Sequence, residues 1–209
     1  MADVERLAPR TSMAYLIPDF HNPTGAMLND ASRVTLAGVL RKNRVLTVLD
    51  ESRRGLDLED RSLPTPYAVH DADAIVVGSV SKGFWGGLRI GWIRAPHHLV
   101  HRLIGARVHH DLGTAAFEQL VAAVAMTGDH IDHAQQQKLL RQQRDHLVAA
   151  LATQLPEVHT NVPGGGLALW LTLPQRRSTE LSASAARHGL GLPPGPRFFS
   201  THPAAGEKH

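Results

Sequence analysis

Four short apolar segments in the first half of the chain constrain its fold more than any other feature. They cover residues 13–17, 45–49, 74–78 and 88–93, and Gly91 interrupts the last of them. A strand that is apolar throughout, rather than alternating, is typical of a sheet buried on both faces. Asn29 or Asp30 can cap a helix that reaches about Asn43, between the first two segments. The alternation predicts an α/β fold with a mostly parallel sheet that helices cover on both faces.

The middle of the chain is predicted to be helical. Helices are expected from Pro96 to about Leu112, from residue 114 to 126, and from Asp129 to Gln154. From Pro156 the pattern changes to two short strands, at residues 158–162 and 167–173, followed by a helix at 178–188. We therefore predict a large domain over residues 1–155 and a small α+β domain over residues 156–209.

Composition excludes several classes of protein. The chain has no cysteine, which rules out a disulfide framework, a Cys-based zinc site and a Cys nucleophile. It has no apolar run long enough to span a membrane, and residues 1–10 lack the apolar core of a signal peptide, so we expect a cytoplasmic protein. The net charge of +3 comes from scattered Lys and Arg residues, which indicates an ordinary solvated surface rather than a nucleic-acid interface.

Polar motifs follow three of the predicted strands, where the ligand crevice of an open α/β sheet lies. The first strand leads to the turn Asn22-Pro23-Thr24-Gly25, and Asp50 ends the second. After the third strand come Ser79 and Lys82, and then Arg89 within a glycine-rich stretch. A strand-end lysine among small residues can reach a carbonyl or phosphate ligand, and an arginine can bind phosphate with two nitrogens.

Each motif has a plain structural interpretation when it is taken alone. The tetrapeptide Asn22-Pro23-Thr24-Gly25 can be an ordinary turn, Asp50 can be a helix cap or turn acid, and Lys82 can be a surface loop lysine. The three motifs are more specific in combination, because they stand in a fixed order, each at the end of a predicted strand. The combination favours a ligand site at one edge of the sheet.

In this order and near these spacings, the motifs resemble those of the class I/II aminotransferases, which are pyridoxal-phosphate (PLP) enzymes of fold type I. The resemblance implies that Lys82 is the catalytic residue, forms a Schiff base with PLP and moves a proton to and from the substrate carbon. It also implies that Asp50 pairs with the protonated pyridine nitrogen, that Asn22 binds the phenolic oxygen, and that Ser79 and Arg89 hold the phosphate. Residues 1–155 would then be part of the PLP-binding large domain and residues 156–209 part of the small domain.

A finer likeness is to the MocR group of GntR-type transcriptional regulators. The segments at residues 19–25, 49–51 and 81–92 are similar to that group, as are Pro163-Gly164-Gly165-Gly166-Leu167 and residues 192–198. In MocR regulators an aminotransferase-like PLP domain senses an effector and is fused to a DNA-binding winged helix. This likeness implies that any contact with DNA would be made by a domain outside these residues.

Several parts that the resemblance leads one to expect are missing from the sequence. No glycine-rich phosphate loop and no ring-stacking aromatic precede residue 13, and no late Arg-Leu motif for the substrate carboxylate follows. Ser52, Arg53 and Arg54 occupy the positions where the family often has a tyrosine near Asp50. We therefore expect a chain truncated at both ends, with little or no transaminase activity on its own.

The many histidines raise the question of a metal site. His97 and His101 are one turn apart on a predicted helix, a spacing that suits two metal ligands. No acidic third ligand stands with them, so we expect solvent-facing helix histidines and no metal. His21 adjoins Asn22 and can either line the site or support the backbone.

Three functions remain open from the sequence. The chain can belong to an enzyme that transfers an amino group from an amino acid to a 2-oxo acid, as a homodimer. It can instead be the effector-sensing PLP domain of a MocR/GntR-type regulator. It can also be a decayed domain that binds no cofactor. Fold alone does not separate them, because one scaffold serves many functions.

Overall fold

The fold is built on a four-stranded sheet in the order β1-β2-β3-β4. A computed structural model describes residues 1–111, 113–127, 133–175, 177–199 and 209. The strands are β1 (Met13–Leu16), β2 (Leu46–Asp50), β3 (Ile75–Ser79) and β4 (Gly91–Arg94). All four predicted segments form strands, although β4 begins at Gly91 rather than at residue 88. The predicted α/β fold with a mostly parallel sheet is confirmed.

The last strand runs against the others. β1 pairs with β2 and β2 with β3 in parallel, whereas β3 and β4 pair antiparallel. Parallel neighbours need a long crossover connection, but residues 80–90 join β3 to β4 through turns without a helix. The short connection therefore explains why β4 returns along β3 in the opposite direction.

The helices agree broadly with the sequence pattern. They are α1 (Ala2–Leu7), α2 (Asp30–Lys42), α3 (His97–Arg107), α4 (Ala116–Thr127), α5 (His133–Gln154) and α6 (Ser178–Arg187). Asn29 caps α2 as predicted, because its side-chain oxygen accepts a hydrogen bond from the Ser32 amide at 2.9 Å. The predicted end of α3 at Leu112 and the predicted start of α5 at Asp129 lie outside the described residues. None of the described helices is both long and apolar enough to cross a membrane.

Helices cover one face of the large sheet. Leu36 and Leu40 of α2 pack against Leu49 and Val76, which point to the same side of β2 and β3. On the opposite face Met13 and Tyr15 are each 56% exposed and Ile93 is 52% exposed. The expectation of cover on both faces is therefore wrong for the described residues. α4 packs elsewhere, with Ala122 against Val80 and Leu88 of the β3–β4 connection.

The second sheet is small, and the residues between its strands are hydrogen-bonded to the segment that follows β2. β5 (His159–Thr160) and β6 (Leu171–Thr172) pair antiparallel, over less length than the sequence predicts. The residues between them are used to bind the segment after β2. The Leu58 amide donates to the Gly164 carbonyl at 2.9 Å, and the Gly166 amide donates to the Leu56 carbonyl at 2.9 Å.

A buried ionic cluster lies where β1, α2 and the segment after β2 meet. Asp19 and Arg33 are both fully buried and are joined at 2.5 Å, and Arg54 binds the same carboxylate at 3.0 Å. Arg33 also donates to the carbonyl oxygens of Leu28 at 2.9 Å and Thr65 at 3.2 Å. A buried charge is tolerated only when it is paired and hydrogen-bonded, which this cluster achieves.

We expect Arg33→Met to lower the free energy of unfolding by about 3 kcal/mol. The substitution removes one partner of a buried ion pair and leaves buried carbonyl groups without a hydrogen-bond donor. Urea unfolding followed by circular dichroism measures the change. The control is Arg6→Met, whose pair with Asp3 is 67% and 85% exposed and should change stability by less than about 0.5 kcal/mol. Equal losses in the two variants would contradict the role given to the buried cluster.

The packing of Gly165 yields a second test of the fold. A Cβ at this position would lie 2.3 Å from the Phe20 ring and 2.5 Å from the Leu56 carbonyl oxygen. Gly165→Ala should therefore push residues 163–166 away from the turn after β1 and cost about 2 kcal/mol of stability. Gly55→Ala is the matched control, because no atom lies within 4 Å of its added Cβ. Thermal unfolding compares the two, and a harmless Gly165→Ala would show that this contact is loose.

Candidate functional site

The sequence motifs converge on one edge of the large sheet. β1, β2 and β3 are parallel neighbours, so their carboxyl ends share that edge. The turn with Asn22 follows β1, while Asp50 and Ser79 are the last residues of β2 and β3. Asp50 is thus the last residue of β2, one position beyond the apolar segment at residues 45–49. The topology brings the three motifs to one side of the molecule.

Short hydrogen bonds shape the turn that carries Asn22. The His21 amide donates to the Ala26 carbonyl at 2.8 Å, and the Gly25 amide donates to the His21 carbonyl at 2.6 Å. The Asn22-Pro23 peptide bond is cis, and Gly25 has a φ of +69°. The Asn22 side chain is exposed, and the part of the chain that the structure describes offers it no hydrogen-bond partner. Its amide therefore remains available to a ligand.

His21 supports this turn rather than standing free. Its Nδ1 atom lies 2.9 Å from the Thr24 hydroxyl, within the same turn. Burial and the charge of Arg53 lower the pKa of His21 from its ordinary value. The ring is therefore neutral at pH 7, which favours the backbone-supporting alternative of the two that the sequence left open.

Asp50 is held at both of its carboxylate oxygens. The Tyr15 hydroxyl donates to Oδ2 at 2.7 Å, and the Ser52 amide donates to Oδ1 at 2.9 Å. Burial raises the pKa of Asp50, but the hydrogen bonds from Ser52 and Tyr15 and the charge of Arg53 outweigh it, so the net pKa lies below the ordinary value. Asp50 is therefore a carboxylate at neutral pH.

Tyr15 belongs to this site although no sequence motif indicated it. The tyrosine that the resemblance leads one to expect lies just after Asp50, where this chain has Ser52, Arg53 and Arg54. Tyr15 has a different contact, because its hydroxyl binds Asp50 from the neighbouring strand, 35 positions earlier in the chain. Tyr15 lies opposite Val48 in the register of β1 and β2, so its side chain is on the same face as Asp50. A strand alignment would have revealed the pair.

The two arginines after Asp50 differ in their contacts. Arg54 is fully engaged, with the Asp19 carboxylate at 3.0 Å and the Pro64 carbonyl at 2.6 Å. Arg53 lines a narrow cleft beside Asn22 and Gly165. In the described ranges its guanidinium group forms no hydrogen bond or ion pair, although its charge acts on Asp50 and His21. The site therefore contains a half-buried cation without a direct partner.

The turn after β3 presents Lys82 and Arg89 to solvent. The Ser81 hydroxyl donates to the Leu88 carbonyl at 2.5 Å, and the Val80 amide donates to the Ile90 carbonyl at 3.1 Å, which closes the turn. Lys82 is exposed and has no hydrogen-bond or ionic partner within residues 1–111 or the later described segments. Arg89 is also exposed and donates to the Gly86 carbonyl at 3.3 Å.

Ser79 is already engaged within this turn. Its hydroxyl oxygen accepts a hydrogen bond from the Ser81 amide at 3.2 Å and lies 3.5 Å from the Ile90 carbonyl. Gly78, one residue earlier, leaves the space that the Trp92 ring fills, since an added Cβ would lie 2.2 Å from that ring. The close packing of Trp92 fixes the end of β3 from which the turn with Lys82 departs.

The paired histidines of α3 stand apart from this site. The His97 and His101 rings are 4.6 Å apart, edge to face, and both side chains are exposed. Among the described residues no group of three or more His, Cys, Asp or Glu side chains is placed to hold a metal ion.

Comparison with known proteins identifies relatives over most of the chain. The family model for aminotransferase class I and II matches residues 8–198. An uncharacterized HTH-type transcriptional regulator, YdfD of Bacillus subtilis, is 32% identical over 171 residues, which are 78% of this chain and 34% of that protein. Aromatic-amino-acid aminotransferase 1 of Thermococcus litoralis is 28% identical over 205 residues, 96% of this chain and 49% of that enzyme. The chain thus spans half or less of the length of these relatives.

A solved structure agrees with this assignment. The fold matches LysN, the alpha-aminoadipate aminotransferase of Thermus thermophilus, crystallised with N-(5'-phosphopyridoxyl)-L-leucine, with a TM-score of 0.86 and 25% identity. The match covers 99% of this chain and 55% of the LysN chain. The strand order, the motifs at the strand ends and the match over residues 8–198 agree, and the chain belongs to the aminotransferase class I and II family.

Proposed function

We propose that this chain forms part of a PLP site and that the protein containing it transfers an amino group from an amino acid to a 2-oxo acid. The observation that carries the proposal is the strand-end arrangement of an ionised Asp50, an unpartnered Lys82 and an exposed Asn22. When it is bound, PLP supplies a ring that accepts the electron pair released at the substrate carbon. The family of the chain and the phosphopyridoxyl ligand of LysN support this choice of cofactor.

The residues present fit such a cofactor. The Asp50 carboxylate accepts hydrogen bonds from Tyr15 and Ser52 and, with two oxygens that can each accept more than one, has room for a further donor. A protonated pyridine nitrogen is a cationic donor that such a carboxylate stabilises. In this role Asp50 would hold the proton on the ring nitrogen and keep the ring electron-poor.

Lys82 would make the covalent link. Its exposed amine has no competing partner in the described structure, so it would be free to bind the aldehyde group of the cofactor covalently. With cofactor and substrate bound, the Lys82 Nζ atom would take the proton from the substrate α-carbon and donate it back to the reacting system. Lys82 is therefore the proposed catalytic residue.

The other proposed contacts position the cofactor. Asn22 would donate its amide to the phenolic oxygen, and Arg89 would bind the phosphate with its guanidinium group. Ser79 would contribute a hydroxyl to the same phosphate once it exchanges its bond within the turn. Arg53 adds positive charge beside Asn22, at the position where the sequence offers no tyrosine.

We further propose a division at about residue 155, with residues 1–155 in the cofactor-binding large domain and 156–209 in the small domain. Two separate sheets, one on each side of this boundary, support the division. A cytoplasmic homodimer whose small-molecule partner is an amino acid or a 2-oxo acid completes the proposal. Exposed apolar side chains on α3 and α4, such as Ile104 and Phe117, suit a subunit contact.

A second candidate function is effector sensing in a MocR/GntR-type regulator. The observation in its favour is the 32% identity to a transcriptional regulator of Bacillus subtilis. In that case the same residues would bind PLP, and DNA would be bound by a domain outside the described residues. Turnover separates the two functions: an enzyme releases a new 2-oxo acid on each cycle, whereas a sensor binds the amino acid without sustained release.

Borohydride reduction tests the proposed cofactor link. With PLP added, the 209-residue chain should show a visible absorption band, and reduction followed by peptide mass spectrometry should find the cofactor on Lys82. Lys82→Ala should abolish the reduced adduct while Arg89 still retains some PLP without a covalent bond. Lys42→Ala, an exposed lysine of α2, is the matched control and should label like the unaltered chain. Labelling spread equally over the lysines would refute the assignment.

A further inference from the structure

The hydrogen bonds to Asp50 fix the orientation of its carboxylate group. Oδ2 accepts from the Tyr15 hydroxyl of β1 and Oδ1 accepts from the Ser52 amide that follows β2. Two donors from two different segments fix both oxygens, so the carboxylate cannot rotate without breaking one bond. A carboxylate held in this way presents its remaining lone pairs in one orientation only.

Tyr15 contributes little to packing, which makes its hydroxyl the informative part. The residue is 56% exposed on the open face of the sheet, so phenylalanine would fill the same position equally well. A hydroxyl is not needed for a strand residue at that place, yet it lies 2.7 Å from Oδ2 of Asp50. Partial burial of the hydroxyl and the neighbouring Asp50 carboxylate raise the pKa of Tyr15 to about 12, so it remains a donor throughout the physiological range.

We propose that Tyr15 is a positioning residue that holds the Asp50 carboxylate, ionised and correctly turned, toward the ring nitrogen of the cofactor. The inference rests on the proposed function for its purpose, but the hold itself is a property of this chain alone. Tyr15 acts through Asp50 and need not touch the cofactor. Its role complements that of Ser52, whose backbone amide cannot be removed by substitution of its side chain.

The proposal predicts how Asp50 titrates without Tyr15. A hydrogen bond to the charged form lowers a carboxyl pKa, so its loss raises that pKa. The other groups that act on Asp50 are Ser52 and Arg53, and both remain in the variant. Asp50 therefore stays ionised at pH 7 in Tyr15→Phe, and the change appears on the acid side of the titration and in the orientation of the carboxylate.

Carboxyl NMR of the 209-residue chain tests the hold without any cofactor. In Tyr15→Phe we expect the acid dissociation constant of Asp50 to fall about tenfold, as the loss of one hydrogen bond to a charged group implies. Tyr67→Phe is the matched control, because it removes the only other tyrosine hydroxyl of the chain, in the core between α2 and the sheet. An Asp50 titration that is the same in Tyr15→Phe and the unaltered chain would overturn the proposal.

Titration with PLP tests whether the hydrogen bond from Tyr15 to Asp50 serves cofactor binding. Tyr15→Phe should bind PLP several-fold more weakly and shift the pH profile of the visible band, with the Lys82 adduct still formed; Tyr67→Phe should match the unaltered chain. Unchanged affinity and pH profile in Tyr15→Phe would overturn the proposal. If the unaltered chain takes up no PLP, the proposed function fails, and the NMR result alone then decides whether Tyr15 holds Asp50.

Discussion

The fully buried Asp19 carboxylate is the constraint on which the arrangement of the strand ends depends. Arg33 reaches it from α2 and Arg54 from the segment after β2, so one anion joins three parts of the chain. A pair of this kind adds little net stability compared with apolar side chains of similar size, but losing one partner leaves a buried charge uncompensated. The cluster therefore mainly fixes the positions of these three parts of the chain relative to one another. It sets the turn of Asn22 against the segment that follows Asp50.

The ionic cluster is connected to the small sheet by packing contacts rather than by charge. Phe20, next to Asp19, is buried, and its ring occupies the space that a side chain at position 165 would need. The backbone of residues 164–166 is in turn bonded to residues 56 and 58, close behind Arg54. One continuous set of contacts thus runs from the end of β1 to the start of the second sheet. Movement of either the turn or residues 163–166 would disturb the cleft that contains Asn22 and Arg53.

Local signals in the sequence were sufficient for the elements but not for contacts between them. The cap at Asn29, the apolar strands and the strand-end positions of Asp50 and Lys82 depend on neighbouring residues, and all were predicted. The Tyr15–Asp50 bond and the Asp19–Arg33–Arg54 cluster depend on strand register and helix placement, which composition does not encode. The antiparallel direction of β4 was not predicted for a related reason, since a run of apolar residues does not indicate whether a strand is parallel or antiparallel to its neighbour. The second sheet is short because its middle residues bind the segment at 56–58 instead of pairing with each other.

The half-buried Arg53 is an observation outside the sequence motifs that favours an anionic ligand at the strand ends. Arg33, Arg54 and Arg144 each satisfy their guanidinium groups with carboxylates and carbonyls of the protein. Lys82 and Arg53 have no such partner in the described ranges, and Arg89 has only a backbone carbonyl at 3.3 Å. Leaving a half-buried cation such as Arg53 unpaired costs free energy that a protein normally avoids. An anionic ligand held at this edge would offset that cost. A cofactor with a phosphate group and a protonated ring nitrogen would bring negative charge to these cations and positive charge to the Asp50 carboxylate.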